Sequence, residues 1–140
     1  EYMITTEEIA IRVYQILQEN LDKLKLTAES ICYERNDYTT DGIVIVPKDC
    51  DGEGSVRNGM VFVNCHVPDL VRGSKKLQTY EANRQRLIEL RKSAIECLSS
   101  HYEPDSRYSW KVTMLNPPVK EQGQNEHFNS FALEITIRRN

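Results

Sequence analysis

The chain has 140 residues, of which 39% are hydrophobic and 28% are charged, a composition typical of one soluble globular domain. Its formal net charge of −3 lacks the basic excess of a typical nucleic-acid-binding protein, so we expect no nucleic-acid partner. No apolar run approaches the roughly 20 residues of a membrane span, and the first residues lack the basic-then-apolar layout of a signal peptide. We therefore expect a single cytoplasmic domain over residues 1–140 that does not bind a membrane.

The first predicted element is a helix that begins at Thr5. Glu8 follows Thr5 at the spacing of a capping box, in which each side chain accepts a hydrogen bond from the other residue's backbone amide. Apolar residues then recur at three-to-four spacing up to about residue 25, which predicts one apolar stripe. The members of this stripe are Ile9, Val13, Ile16, Leu17, Leu21 and Leu24. We expect the stripe to pack on a sheet.

Two strands are predicted next, near 30–36 and 42–46, because β-branched and aromatic residues are concentrated there between turn signals. The segment 47–59 is polar and contains several glycines, so it is predicted to be a long loop. Its first half carries three acidic residues, Asp49, Asp51 and Glu53.

A third strand is predicted over 61–67, where apolar and polar residues alternate. Alternation places Cys65 among valines on one face and His66 on the other, so the two side chains do not share one metal ion. The Cys65 face is expected to be the core face, and His66 is expected to lie toward solvent or an interface. Pro68 has no amide hydrogen for a ladder, so it is predicted to end the strand and begin a loop.

The second half of the chain is predicted to contain one long helix and a closing hairpin. The helix spans 79–101, with a core face formed by Tyr80, Leu87, Leu90, Ala94, Cys97 and Leu98. Alternating residues then predict a strand from 108 that stops at Asn116-Pro-Pro118, and a last strand near 131–137. The order α-β-β-β-α-β-β favours an α+β fold, with a mostly antiparallel sheet of four to five strands and two main helices packed on one face.

The four cysteines are predicted to be reduced, because the chain is large enough to fold without disulfides and contains no CxxC pair. Cys97 and His101 are four residues apart on the long helix and would share one face. Two ligands are too few for structural zinc, which normally takes four, so we expect no metal there.

The acidic segment imitates the opening of a calcium loop, with Asp49, Asp51 and Glu53 at alternate positions before Gly54. Met60 stands where such a loop needs a bidentate Glu, so an acidic hairpin loop explains the segment better. The sequence contains no GxSxG, no GKS or GKT, and no HExxH. We therefore predict a protein that is not an enzyme and has no cofactor.

The stretch Val61-Phe-Val-Asn-Cys-His-Val-Pro-Asp69, followed by a loop, an amphipathic helix and a closing hairpin, resembles the small neck and tail-completion proteins of tailed bacteriophages and prophages. These include head–tail joining and tail-terminator proteins. The resemblance implies a structural part without chemistry of its own, in the cytoplasm or assembled in a phage-like particle. Its partners would be further copies of itself, as a ring-like homo-oligomer, and other virion-type proteins.

Expected exposure suggests two contact surfaces for such a protein. One is the acidic loop with Asp49, Asp51 and Glu53, and the other is the outer strand face with Phe62, Asn64 and His66. One alternative is a small metal- or ligand-binding α+β domain, or an enzyme with a site assembled from His66, His101, His127 and nearby thiols. Another is a module that binds a host factor and is monomeric by itself.

Overall fold

The computed structural model describes residues 4–51, 56–99 and 107–138, and at 49–51 it describes the backbone alone. The helices are α1 Thr6–Gln18, α2 Leu21–Leu24 and α3 Arg84–Ser99, and a 3-10 turn covers Ala28–Ser30. The strands are β1 Ile31–Cys32, β2 Gly42–Asp51, β3 Val56–Pro68, β4 Leu70–Ser74, β5 Leu77–Glu81, β6 Tyr108–Lys120 and β7 Glu126–Arg138. Five of these strands form one sheet in the order β1-β2-β3-β7-β6, and β4 and β5 form a separate hairpin.

The α+β prediction is confirmed, with a mostly antiparallel main sheet of five strands. Among the strand pairs that the structure describes, the short pair β1–β2 alone is parallel, and β3 and β7 pair along the full 13 residues of each strand. Both main helices pack on one face of the sheet, because alternate residues of β3 lie in the same core cluster as the apolar faces of α1 and α3. These β3 residues are Val61, Val63, Cys65 and Val67, each at most 1% exposed.

The N-terminal helix begins where the sequence predicts. The Thr5 side chain accepts a hydrogen bond from the Glu8 amide, and the Glu8 carboxylate accepts one from the Thr5 amide. The helix is not continuous to residue 25: α1 ends at Gln18 and α2 resumes for one turn. The predicted stripe is buried except at Leu21, which is partly buried. No described helix is both long and apolar enough to cross a membrane.

Two predictions in the first half of the chain are wrong. The strand expected over 30–36 is only Ile31–Cys32. The long loop expected over 47–59 is largely strand, because β2 continues to Asp51 and β3 begins at Val56. The polar composition suggested a loop, but β7 pairs with β3 from its first residue and provides ladder hydrogen bonds there. Sequence composition does not reveal this distant partner.

The segment after Pro68 also differs from the prediction. Residues 70–81, expected as a loop and the start of a helix, form the β4–β5 hairpin with Lys75 and Lys76 in its turn, and α3 begins only at Arg84. Tyr80, expected on the helix core face, is therefore 44% exposed on β5. The remaining predicted core residues of that helix are buried.

The prolines of β6 do not stop the strand as expected. It continues through Pro117 and Pro118 to Lys120, with two register irregularities and a positive φ of 52° at Met114. The sheet order makes β6 an edge strand. An edge strand tolerates proline because amides on its free side need no ladder partner.

Candidate functional site

The acidic surface predicted for interface contacts lies mostly beyond what the structure describes. Asp49 and Asp51 belong to the backbone of β2, but their side chains are outside the described atoms, and Glu53 is outside the described residues. The same holds for His101, and so for the Cys97–His101 pair. These roles stay predictions.

The residues of the second predicted surface share one face of β3, as expected, but the predicted exposure of His66 is wrong. Phe62 and Asn64 are half-buried on the sheet face opposite the helices, and their contact role stays a prediction. His66 lies on that face but is only 4% exposed, so it is not a surface residue of the folded chain. Its ring stacks on Phe128 of the neighbouring strand, with ring centroids 4.7 Å apart.

His66 belongs to a buried charged cluster with Arg35 and Glu126. Its Nδ1 lies 3.0 Å from Glu126 Oε2. Because an ionised carboxylate only accepts hydrogen bonds, Nδ1 is the donor and carries a proton. Arg35 donates to the other oxygen through Nε at 2.9 Å and also through Nη2. The Glu126 side chain is 0% exposed and that of Arg35 7% exposed, so water does not screen the pair.

The cluster attaches an irregular segment of the chain to the sheet. Arg35 lies in the stretch 33–41 between β1 and β2, whereas Glu126 is the first residue of β7. Gly42 leaves the space for this crossing, because a Cβ there would lie 2.2 Å from Arg35 Nη1 and 2.8 Å from the Ser30 carbonyl oxygen. No sequence motif links these residues, which explains why sequence reasoning missed the cluster.

The electrostatic state of Glu126 follows from its partners. Burial alone would raise the pKa of this carboxyl, but hydrogen bonds from His66 and Arg35 and the charges of both residues outweigh burial. The pKa of Glu126 is therefore held below its ordinary value. The carboxylate is ionised at neutral pH and balances the Arg35 guanidinium.

The cluster contains three donor groups that could face one metal ion. Donor atoms of His66, Glu121 and Glu126 lie within 4.8 Å of one another. One imidazole and two carboxylates are ligand types found in catalytic zinc sites. However, Arg35 already neutralises Glu126 and brings a positive charge beside the space that a cation would occupy. The arrangement therefore fits an ion pair better than a metal site.

Of the site suggested from His66, His101, His127 and nearby thiols, His101 lies outside the described residues, and the structure does not bring His66 and His127 together. His66 is paired with Gly42, and His127 is paired with Val67, the residue that follows His66 on β3. Because consecutive strand residues lie on opposite faces, the side chains of His66 and His127 lie on opposite faces of the sheet. His127 Nδ1 lies 2.6 Å from Asp69 Oδ1 instead. Cys65 lies in the core, where burial raises the pKa of its thiol to about 12 and keeps it from acting as a nucleophile at neutral pH.

The β4–β5 hairpin is the most exposed regular element described. All of its strand residues are exposed, including four apolar ones: Leu70 at 36%, Val71 at 56%, Leu77 at 74% and Tyr80 at 44%. Lys75 and Lys76 form the turn. We call Lys75, Lys76 and Leu77 the hairpin tip, which combines two positive charges with a large exposed apolar side chain.

An apolar groove lies beside the start of α1, at the outer side of β2. Exposed side chains of Ile11 and Tyr33 line it together with Pro47, and its volume is about 420 Å³. Glu7 and Glu34 are exposed on its border. We call this feature the N-terminal groove. Its acidic border carries the opposite charge to the two lysines of the hairpin tip, and its lining is apolar like Leu77.

No protein-family model matches the sequence, and no curated protein matches it either.

Proposed function

We propose that this chain is a non-enzymatic assembly protein of a phage-like particle, which joins head to tail or completes the tail as a ring. The proposal starts from the resemblance carried by Val61–Asp69 and by the elements that follow it. The observation that carries it furthest is the β4–β5 hairpin, which exposes every strand residue and four large apolar side chains. Its further partners would be other virion-type proteins.

The hairpin supports an assembly role for a physical reason. An isolated two-stranded hairpin is at best marginally stable in water, and its exposed apolar side chains gain nothing from the chain's own core. Contact with another molecule would bury these side chains and order the hairpin. Protruding apolar elements of this kind are typical of interaction surfaces.

The chemistry of the described residues also favours a structural part over an enzyme. The buried His66 is hydrogen-bonded to Glu126 and stacked on Phe128, so it has little access to a substrate. Cys65 is on the opposite face of the sheet from His66. A Cys–His pair for nucleophilic catalysis is therefore not formed by these two residues.

A metal-binding domain is the second candidate function. The observation that favours it is the group of donor atoms from His66, Glu121 and Glu126. Bound metal near one ion per chain, lost when His66 is replaced by Phe, would support this candidate. The Arg35–Glu126 ion pair makes us rank it second.

The first test of the proposed function is the solution mass, measured by light scattering after gel filtration over a wide concentration range, with negative-stain images of any large species. We expect closed rings of one defined size. A chain that stays monomeric at every concentration and carries one metal ion would contradict the ring and favour the metal-binding domain.

A further inference from the structure

We infer that the hairpin tip of one chain docks into the N-terminal groove of a second copy of the same chain. This inference rests on the proposed function, because it specifies how neighbouring subunits of the ring meet. The occupant of the groove is thus the β4–β5 hairpin of the next subunit, with Leu77 inserted and the two lysines at the border.

The apolar parts of the two surfaces are complementary. Leu77 is 74% exposed at the end of the hairpin, where nothing in its own strand pair covers it. In the groove, Ile11 is 49% exposed and Tyr33 is 43% exposed. The groove volume of about 420 Å³ leaves room for one leucine side chain. Docking would remove all three apolar side chains from water together.

The charges are complementary as well. Lys75 and Lys76 directly precede Leu77 in the sequence, and Glu7 and Glu34 border the groove. Lysine stems can cover apolar surface while the ammonium groups reach the carboxylates at the border. Paired charges of this kind steer encounter and select the partner more than they add affinity.

The groove and the base of the hairpin lie at different levels of the sheet. The groove borders β2 at Val46, which is paired with Phe62 of β3, whereas the hairpin follows Pro68 at the end of β3. Six residues of strand separate these levels, which is about 20 Å at about 3.3 Å per residue. When each subunit gives its tip to one neighbour and its groove to another, the contact is head-to-tail, and its repetition closes into a ring if the rotation between subunits allows it.

The decisive experiment exchanges the charges of the two surfaces. The tip variant carries Lys75→Glu and Lys76→Glu, and the groove variant carries Glu7→Lys and Glu34→Lys. Each variant alone would place like charges across the contact, so we expect both to be monomeric at concentrations where the native chain forms rings. In an equimolar mixture every contact between the two variants joins opposite charges again, so we expect assembly to return in oligomers in which the two variants alternate.

The control makes the same change of net charge as the tip variant, at two positions outside the tip and the groove. Lys92 is exposed on α3 and Lys120 is exposed at the end of β6, and their joint replacement by Glu should leave the rings intact. Glu8 also lines the groove but is left unchanged, because its carboxylate caps α1 by accepting from the Thr5 amide. Restored rings in the mixture would also show that both variants are folded.

A second pair of variants tests the apolar part. Leu77→Ser removes the inserted side chain, and we expect the concentration needed for assembly to rise about tenfold or more, since burial of a leucine supports at least that factor. Leu115→Ser is the matched control, because Leu115 is 58% exposed on β6, away from tip and groove. It should leave the assembly concentration unchanged.

The outcomes separate this inference from the proposed function. Native rings that persist in both charge variants, or that are lost in both and not restored by mixing, would overturn the tip-in-groove contact and leave the ring function standing. A native chain that never assembles would overturn the ring and this contact together. Loss of assembly in each variant alone, with its return in the mixture, would support both the proposed function and the tip-in-groove contact.

Discussion

Glu126 is the residue on which the buried charges of this protein depend. Its carboxylate is 0% exposed and lies between the Arg35 guanidinium and the His66 ring. Two charges taken out of water are tolerable only together, and removal of one leaves the other without compensation. The sheet alternation placed His66 on its face correctly, but its burial depends on Arg35 and Phe128, which the sequence does not bring near it.

We expect Glu126→Gln to lower the free energy of unfolding by about 3 kcal/mol, because the buried Arg35 would lose its counter-charge. Urea denaturation followed by circular dichroism measures the change. Glu134→Gln on the same strand is the control, since the Glu134 side chain is 42% exposed and its ion pair with the exposed Lys111 spans 3.8 Å. The control should cost at most about 0.5 kcal/mol. Equal effects of the two substitutions would contradict the ion-pair interpretation.

The same cluster predicts a pH dependence. The pKa of Glu126 is held below its ordinary value of about 4.3, so the folded state favours the ionised form. Its contribution to stability is then present above about pH 4.5 and is lost as the pH falls through the folded-state pKa. We expect the stability difference between native chain and Glu126→Gln to shrink below about pH 4. A difference that grows on acidification would contradict this sign.

At the scale of elements, the start of α1 is specified locally. Both hydrogen bonds of the Thr5–Glu8 capping box are formed, and they satisfy two amides that a helix start otherwise leaves without partners. Local encoding explains why this boundary was predicted correctly. The end of α1 is predicted incorrectly, because the interruption at residues 19–20 has no comparable signal in the sequence.

We expect Thr5→Ala to lower the free energy of unfolding by about 1 kcal/mol, the usual cost of a lost N-cap oxygen. Thr5→Ser keeps that oxygen and should change stability by less than about 0.5 kcal/mol. Thermal or urea unfolding of the three chains provides the comparison. A serine variant as unstable as the alanine variant would show that the methyl group, and not the cap, supports this position.

The β4–β5 hairpin shows why an element can escape sequence reasoning. Its strands are only 5 residues each and its side chains are exposed on both faces, so no alternation between core and solvent marks it. Gly73 is the local signal in the sequence, since its φ is 92° and a Cβ there would lie 2.2 Å from the Leu77 carbonyl oxygen, so the position requires glycine. By itself such a glycine predicts a loop as readily as a hairpin.

At the scale of the whole molecule, one core joins the helices to the sheet. Buried side chains of α1, α3 and strands β2, β3 and β7 belong to a single cluster, and Trp110 of β6 packs against it. Trp110 also donates to the Leu98 carbonyl at 3.0 Å, which ties the edge strand to the end of α3. Elements that share one core are expected to unfold together.

We therefore expect a single cooperative transition. Trp110 is the only tryptophan, so its fluorescence reports on the junction of β6 and α3, whereas circular dichroism reports on all elements. Both signals should give the same urea midpoint when measured where the chain is monomeric. Two separate midpoints would contradict the single domain over 1–140.

The fold class, the core faces of α1, α3 and β3, and the helix start at Thr5 are encoded in local patterns, because periodicity and capping act over a few neighbouring residues. The lengths of β2 and β3 and the burial of His66 follow from contacts that only the folded chain makes. The same holds for the N-terminal groove, which combines residues of α1, β2 and the segment after β1. These features depend on partners far apart in the chain, such as Arg35 with Glu126 and β3 with β7, and no local pattern records such pairings.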